Sequence, residues 1–223
     1  SIRPRPISHP ERRFYASSVS PESAEIMAKL GFGMMVIMQN EWVKAAADIQ
    51  SFREIAMSVG HTPRPPVILT NVSVAESREE AKERATQYLG AKWDSIDNHY
   101  RFSDGHLGSV KGYESYGKMA KTYSKLKDVE ARNKLTEFYV DIQIVGTPQD
   151  CIEQIAELQR LTGTDHIVCD FSYGGMPHHE GEMNMRRFAE SVMPVLQHDA
   201  AFKAPATVPT LQGPAKDDVF APA

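Results

Sequence analysis

The stretch FGMMVIM, residues 32–38, runs for seven positions without a polar side chain, between two segments of helical periodicity. A strand with one solvated face alternates apolar with polar residues. An unbroken apolar run this short, with glycine at its edge, instead fits a strand covered on both faces. Such strands belong to parallel sheets, in which each connection returns across the sheet, usually as a helix. The run therefore directs the chain toward α/β architectures built from right-handed strand–helix–strand units.

The rest of the sequence repeats the alternation. ERRFYAS (11–17) is expected to form a short strand. A helix follows, with Ser20 as N-cap, Pro21 at the first helical position and Ser23 at the third. Ala24, Met27, Ala28 and Leu30 form its expected apolar stripe, and Gly31 its stop. EWVKAAADIQSFREIAMSVG (41–60) places Trp42, Ala45, Ala46, Ile49, Phe52, Ile55 and Ala56 at helical spacing. RPPVILTNVSVA (64–75) is the third strand, and SREEAKERATQYLGAKW from Ser77 the third helix. Residues 94–136 are polar and rich in Tyr, Gly and Lys, and are expected as short helices in a long insertion.

Regular pattern resumes at GTPQDCIEQIAELQRLTGTD (146–165). Thr147 is the expected N-cap, Pro148 the first helical residue, Cys151, Ile152, Ile155 and Leu158 the apolar face, and Gly163 the stop. HIVCDF (166–171) is the fourth strand, SYGGMPHHEGE a loop, and NMRRFAESVMPVL the last helix. The Ala/Pro-rich residues 199–223 are expected as a poorly packed tail. Four strand–helix units result, whereas a closed (β/α)8 barrel needs eight in roughly 250 residues. The alternatives are a small open α/β sheet or half a barrel.

Charge excludes some partners. With 29 acidic against 25 basic side chains, nothing electrostatic favours nucleic acid or a membrane surface. No apolar run approaches the ~20 residues of a membrane-spanning helix. Cys151 and Cys169 are the only cysteines and lack metal-site spacing, so buried, reduced thiols in a cytoplasmic protein are expected. HHEGE (178–182) is expected as a solvated loop without a metal, since adjacent histidines diverge and no further ligand cluster stands at a recognisable spacing.

In parallel α/β folds, ligands gather at the C-terminal ends of the strands. Ser17, Ser18 and Ser20 lie at one such end, before a helix N-terminus. Helix capping and the binding of an anion both account for them. Met38 ends the second strand, either as core or beside a ligand. Tyr173, Gly174 and Gly175 follow the last strand, where glycines make a turn or admit a planar ring.

Three segments together, ASSVSPESAEIMAKLGFGMMVI, VGTPQDCIEQIAELQRLTGTDHIVCDF and NMRRFAESVMPVL, resemble the bacterial luciferase-like, flavin-dependent monooxygenases. The resemblance covers most of residues 10–197 and is weakest over 94–136. It implies a (β/α)8 TIM-barrel type of which this chain supplies strands five to eight. Residues 1–198 would be that C-terminal half, with the insertion at 94–136 and the tail at 199–223. It further implies that Ser17, Ser18, Ser20 and Ser23 hold the 5′-phosphate of FMN. Met38 would lie beside the flavin ring, with Tyr173, Gly174 and Gly175 in the vicinity of ring and substrate. The implied activity is oxidation of a small organic substrate by O2 and reduced FMN from a separate flavin reductase. Use of the deazaflavin F420 is an alternative, as is a non-catalytic flavin-binding or self-associating module. The sequence opens without an initiator Met, and the expectation is a fragment or one piece of a split barrel. Its catalytic residues would lie in the other half, and its partner would be that half or a second copy in a homodimer.

Overall fold

The computed structural model describes residues 13–17, 21–110 and 128–203, with Arg3, Gly117, Ala120 and Ser124 besides. Its strands are β1 (Tyr15–Ser17), β2 (Gly33–Ile37), β3 (Val67–Val74), β4 (Ile144–Gly146) and β5 (His166–Asp170). The helices are α1 (Pro21–Lys29), α2 (Trp42–Ser58), α3 (Arg78–Tyr100), α4 (Val129–Asp141), α5 (Pro148–Thr162), α6 (His178–Ser191), α7 (Met193–His198) and the turn α8 (Ala200–Lys203). Every strand pairing is parallel, as the apolar run at 32–38 requires. No helix among the described residues is long and apolar enough to cross a membrane.

β3 is the spine of the sheet, and both of its edges change partner along its length. β2 pairs with residues 67–69 and β5 with residues 67–71, while β4 pairs with residues 72–74. Alternate residues of a strand aim their backbone groups at opposite edges. Leu69, Asn71 and Ala75 therefore serve one edge. The Leu69 carbonyl accepts from Met38 N–H at 2.9 Å, and Ala75 N–H donates to the Gly146 carbonyl at 3.1 Å. Between them, Asn71 N–H donates to Gln143 Oε1 at 2.8 Å. Gln143 thus bridges the gap between β2 and β4. On the other edge, where β5 has ended, the Asn184 side chain of α6 takes over. Its Nδ2 donates to the Val72 carbonyl at 2.7 Å, and its Oδ1 accepts from Val74 N–H at 2.8 Å.

The two faces differ. Met34, Val36, Met38, Ile68 and Ile167 pack against Ala28 of α1, Ile49 and Phe52 of α2 and Leu158 of α5. Further along, Val72, Val74 and Ile144 pack against Cys151 and Ile155 of α5 and Phe188 of α6. Helices α1, α2, α5 and α6 therefore cover one face, and each fully buried aliphatic side chain stabilises that layer by roughly 1.5–3 kcal/mol. By strand alternation the opposite face carries Met35, Ile37, Val67, Leu69 and Val168. There Ile37 is 39% and Val168 44% exposed, so this face is only partly covered.

Helix α3 lies against that second face at its C-terminal half, and α4 packs beside α3 and β4, with Val140 among Tyr88 and Leu89 and Tyr139 in the cluster of Met38. Ser73 Oγ donates to the Ala81 carbonyl, Arg84 donates to Ser73 Oγ and the Val74 carbonyl, and Ala85, Tyr88 and Leu89 pack with Val140, Tyr173 and Met176. The helix that returns the chain from β3 to β5 across the main helix layer is thus α5. The excursion begins directly after β3, with α3 as its first element, rather than at residue 94. Helical periodicity identified α3 but carries no information on which sheet face it covers.

Other expectations are corrected too. α3 runs on to Tyr100 as one 23-residue helix and α4 is a regular helix of 13 residues, so both enter 94–136 as long helices where short ones were expected. HHEGE forms the first turns of α6, which starts after Pro177 without a capping side chain to signal it. Leu30 is 54% exposed and stands outside the buried stripe of Ala24, Met27 and Ala28. Phe202 of α8 packs against the second core cluster, so the chain is still anchored past residue 199; residues 204–223 lie outside the described ones.

Candidate functional site

β1 delivers Ser17, exposed, to the C-terminal side of the sheet ahead of the nine-residue α1. Ser18 and Ser20 lie outside the described residues. Ser23 is half-buried in the first turn of α1, next to exposed Glu22. Met38 is 3% exposed within the core between β2 and the helices. The residue at that strand end that lies on the partly open face is its neighbour Ile37.

Tyr173, Gly174 and Gly175 form the turn that binds the end of β5 to α3. The Tyr173 ring is buried with Tyr88 and Leu89 of α3, and burial raises its phenol above the ordinary tyrosine range. A Cβ on Gly174 would stand 1.8 Å from the Tyr88 carbonyl oxygen, so helix and loop meet backbone to backbone.

The structure also assembles a polar group that the sequence did not reveal. Asn71 of β3 and Asp170 of β5 are register partners on the partly open face. Lys92 of α3 reaches both, with Nζ 2.7 Å from Asn71 Oδ1 and 2.9 Å from Asp170 Oδ2, and its ammonium lies 5.6 Å from the Tyr173 ring centroid. Asn71 Nδ2 donates to Gln143 Oε1 at 3.0 Å, and Thr70 Oγ1 donates to the same oxygen at 3.1 Å. Two positions back along the strands lies the apolar register pair Leu69 and Val168, with Ile37 beside Leu69. A row of hydrogen-bonding groups therefore stands next to an exposed apolar row. In sequence, Lys92 is one lysine on a polar helix. The available signal was Asn71, an amide inside an otherwise apolar strand.

Beside β4, Arg78 donates to both carboxylate oxygens of Asp150, which also completes the capping box of α5 with Thr147. Both residues line a pocket of about 370 Å³ with Lys82, Gln143 and Gln154. The Arg78 guanidinium, and then the Thr147 hydroxyl, hold the Asp150 carboxyl far below the usual carboxylate range. Its folded value lies below its unfolded one. The stabilisation is therefore complete above about pH 4 and is lost as pH falls below that. Asp150→Asn is expected to flatten the acid limb of a stability–pH curve below pH 4, measured by urea unfolding at successive pH values.

Burial pushes the Cys151 thiol up to about 12 and the Cys169 thiol up to about 11, so neither is a ready nucleophile at neutral pH. Among the described residues no three His, Cys, Asp or Glu side chains stand together as a metal site. What the described residues offer is a set of donors beside an apolar floor, at the ligand-binding end of a parallel sheet.

Comparison with known proteins bears on the family and the fold. The luciferase-like monooxygenase family profile matches residues 1–165. The alkanal monooxygenase alpha chain of Photorhabdus luminescens is 28% identical over 190 residues, which is 84% of this chain and 52% of that protein. The corresponding protein of Aliivibrio fischeri is 28% identical over 80% of this chain and 50% of its own length. The chain thus spans about half the length of the curated relatives it matches. Among solved structures, monooxygenase RslO1 from Streptomyces bottropensis superposes with a TM-score of 0.54 at 22% identity, over 86% of this chain and 50% of that one. The oxygenating constituent of 3,6-diketocamphane monooxygenase from Pseudomonas putida, solved with FMN, gives 0.51 at 20% identity, over 81% of this chain and 47% of that one. The open parallel sheet of this chain is accordingly of the TIM-barrel type, and the chain belongs to the luciferase-like monooxygenase family.

Proposed function

We propose that this chain supplies strands five to eight of an FMN-dependent monooxygenase that oxidises a small organic substrate, with a separate reductase delivering the reduced flavin in the cytoplasm. The observation that carries the reading is the partly open sheet face, where exposed Ile37 and Val168 adjoin the donors Lys92 and Asn71. An apolar floor with a polar border suits a flat heteroaromatic ring with one polar edge. Family membership supports it, as do the alkanal monooxygenase relatives and a structural neighbour that binds FMN.

Ser17, Ser18, Ser20 and Ser23 would hold the flavin phosphate, using hydroxyls and the free N–H groups at the start of α1. Ile37, Leu69 and Val168 would lie under the ring and exclude water. Bound reduced FMN supplies the oxygen chemistry; the protein's part is binding, orientation and dryness. Tyr173, Gly174 and Gly175 would serve by fixing α3 over the site, and Met38 by supporting β2 from the core. The substrate would sit on the same face, against residues of the missing half.

That half, or a second copy in a homodimer, would complete the barrel. Exposed Ile26 and Leu30 lie on α1, which follows β1, and exposed Val168 lies on β5; β1 and β5, like β4, each have one ladder among the described residues. Closure would bury these apolar groups.

Replacing Ser17 and Ser18 together by Ala in the full-length protein should weaken FMN binding about tenfold, near 1.4 kcal/mol, and leave riboflavin, which lacks the phosphate, unchanged. Equal losses for both ligands would make the serines purely structural.

A further inference from the structure

The Lys92–Asp170 pair is an unusual element for the inner face of a parallel sheet. Its side chains are 28% and 32% exposed, and it lies just beyond the apolar row of Ile37, Leu69 and Val168. A pair of that kind contributes little net stability, because desolvation offsets much of the attraction, and an apolar pair would tie α3 to β5 as well. Charged groups retained at the ligand end of a sheet are candidates for function.

The hydrogen-bond inventory shows what the group presents. A lysine ammonium has three donors, and two are engaged by Asn71 Oδ1 and Asp170 Oδ2. Lys92 also fixes the orientation of the Asn71 amide: Oδ1 must face the ammonium, so Nδ2 faces Gln143 Oε1 and keeps a second N–H. One donor remains on Lys92, whose side chain is 28% exposed, and one on Asn71, which is itself buried and reaches the face through Lys92. Gln143 holds the assembly rigid, since its Oε1 accepts three hydrogen bonds and its Nε2 donates to the Met38 carbonyl at 3.2 Å. Asp170 is the remaining charged member and partly neutralises the ammonium.

We propose that Lys92 and the Asn71 amide it orients are the donor pair for the carbonyl-bearing edge of the flavin ring, and that Asp170 sets how much positive charge this pair presents. The inference rests on the flavin reading above and deepens it. With the phosphate held at β1, the ring would lie over the partly open face, on which Lys92 stands between Asn71 of β3 and Asp170 of β5. A cation at that edge favours reduced flavin, which carries more negative charge than oxidised flavin, and so raises the reduction potential of the bound cofactor.

The test is the binding of oxidised and reduced FMN to the full-length protein, with the midpoint potential of the bound flavin. Lys92→Met should lower the affinity for reduced relative to oxidised FMN about tenfold, which for a two-electron couple is a fall of about 30 mV. Lys92→Arg should stay within threefold of wild type. Asp170→Asn should move the potential the opposite way, upward, because it frees the charge of Lys92. A pair that only staples α3 to β5 would change thermal stability in both variants and leave the potential at the wild-type value, and that result would overturn the proposal. So would shifts of the same sign in Lys92→Met and Asp170→Asn. If Lys92→Met does not fold, the upward shift in Asp170→Asn decides alone. A wild-type protein that binds no FMN would instead remove the flavin reading itself, a separate failure visible before any variant is made.

Discussion

Replacing Asn184 with Leu should lower unfolding stability by roughly 3–5 kcal/mol, the largest effect expected of any single substitution away from the glycines. Asn184 is fully buried on α6 and bonds only to other elements. Its Nδ2 donates to the Val72 carbonyl and, at 3.1 Å, to the Phe171 carbonyl; its Oδ1 accepts from Val74 N–H. β5 stops pairing with β3 at Asn71, so the Val72 carbonyl and Val74 N–H have lost their ladder partner and take their short hydrogen bonds from this one amide. Leucine matches its volume but leaves the Val74 N–H and the Phe171 carbonyl without this partner and the Val72 carbonyl with only the Tyr173 hydroxyl at 3.5 Å, each lost bond costing about 1–3 kcal/mol. Urea unfolding followed by circular dichroism should show a lower midpoint with an unchanged slope. A midpoint within 1 kcal/mol of wild type would mean that water reaches these groups and that the end of the sheet is looser than described.

Gly174→Ala should be comparably damaging, at about 3 kcal/mol or more, while Gly175→Ala next to it should cost only about 1 kcal/mol. Both glycines have positive φ, +61° and +76°, so each substitution carries backbone strain. The difference is space. A methyl on Gly174 meets the Tyr88 carbonyl oxygen at 1.8 Å, whereas on Gly175 it meets nothing within 4 Å. Because the obstacle is helix backbone, only a movement of α3 relieves the clash, and that movement displaces Lys92 from Asp170. The Gly174 variant should therefore lose flavin affinity as well as stability. Equal midpoints for the two variants would show that the loop stands away from α3.

Much of the fold was legible in the sequence because its signals are local. The apolar run at 32–38, the Ser-Pro start of α1 and the Thr147-Pro148 start of α5 each specify an element within a few residues. In α5 the capping box closes through Asp150 as the Thr147 position suggests. What escaped reading is non-local. β4 is three residues long, too short for any periodicity, and its place beside β3 is prepared by Gln143, whose partners lie from 72 residues earlier, at Asn71, to 105 residues earlier, at Met38. The same holds for α3: its amphipathic pattern is genuine, but the face it covers depends on Ser73, Arg84 and Gly174 meeting in space. Lys92, Asn71, Asp170 and Gln143 come from four separate segments, none with a motif of its own. The phosphate role proposed for Ser17, Ser18, Ser20 and Ser23 rests on resemblance, since a well-capped helix and an anion site share the same residues.

The chain spans about half the length of its curated relatives, and its partly open sheet face brings Lys92, Asn71 and Asp170 together beside Ile37, Leu69 and Val168. The central claim is that this set belongs to a flavin. Anaerobic titration of the full-length protein with reduced FMN, followed by flavin absorbance, tests it most directly. Saturable binding of one flavin per barrel is expected, with riboflavin bound more weakly. Absence of binding to FMN in either redox state would contradict it, and binding of F420 alone would assign the site to the deazaflavin.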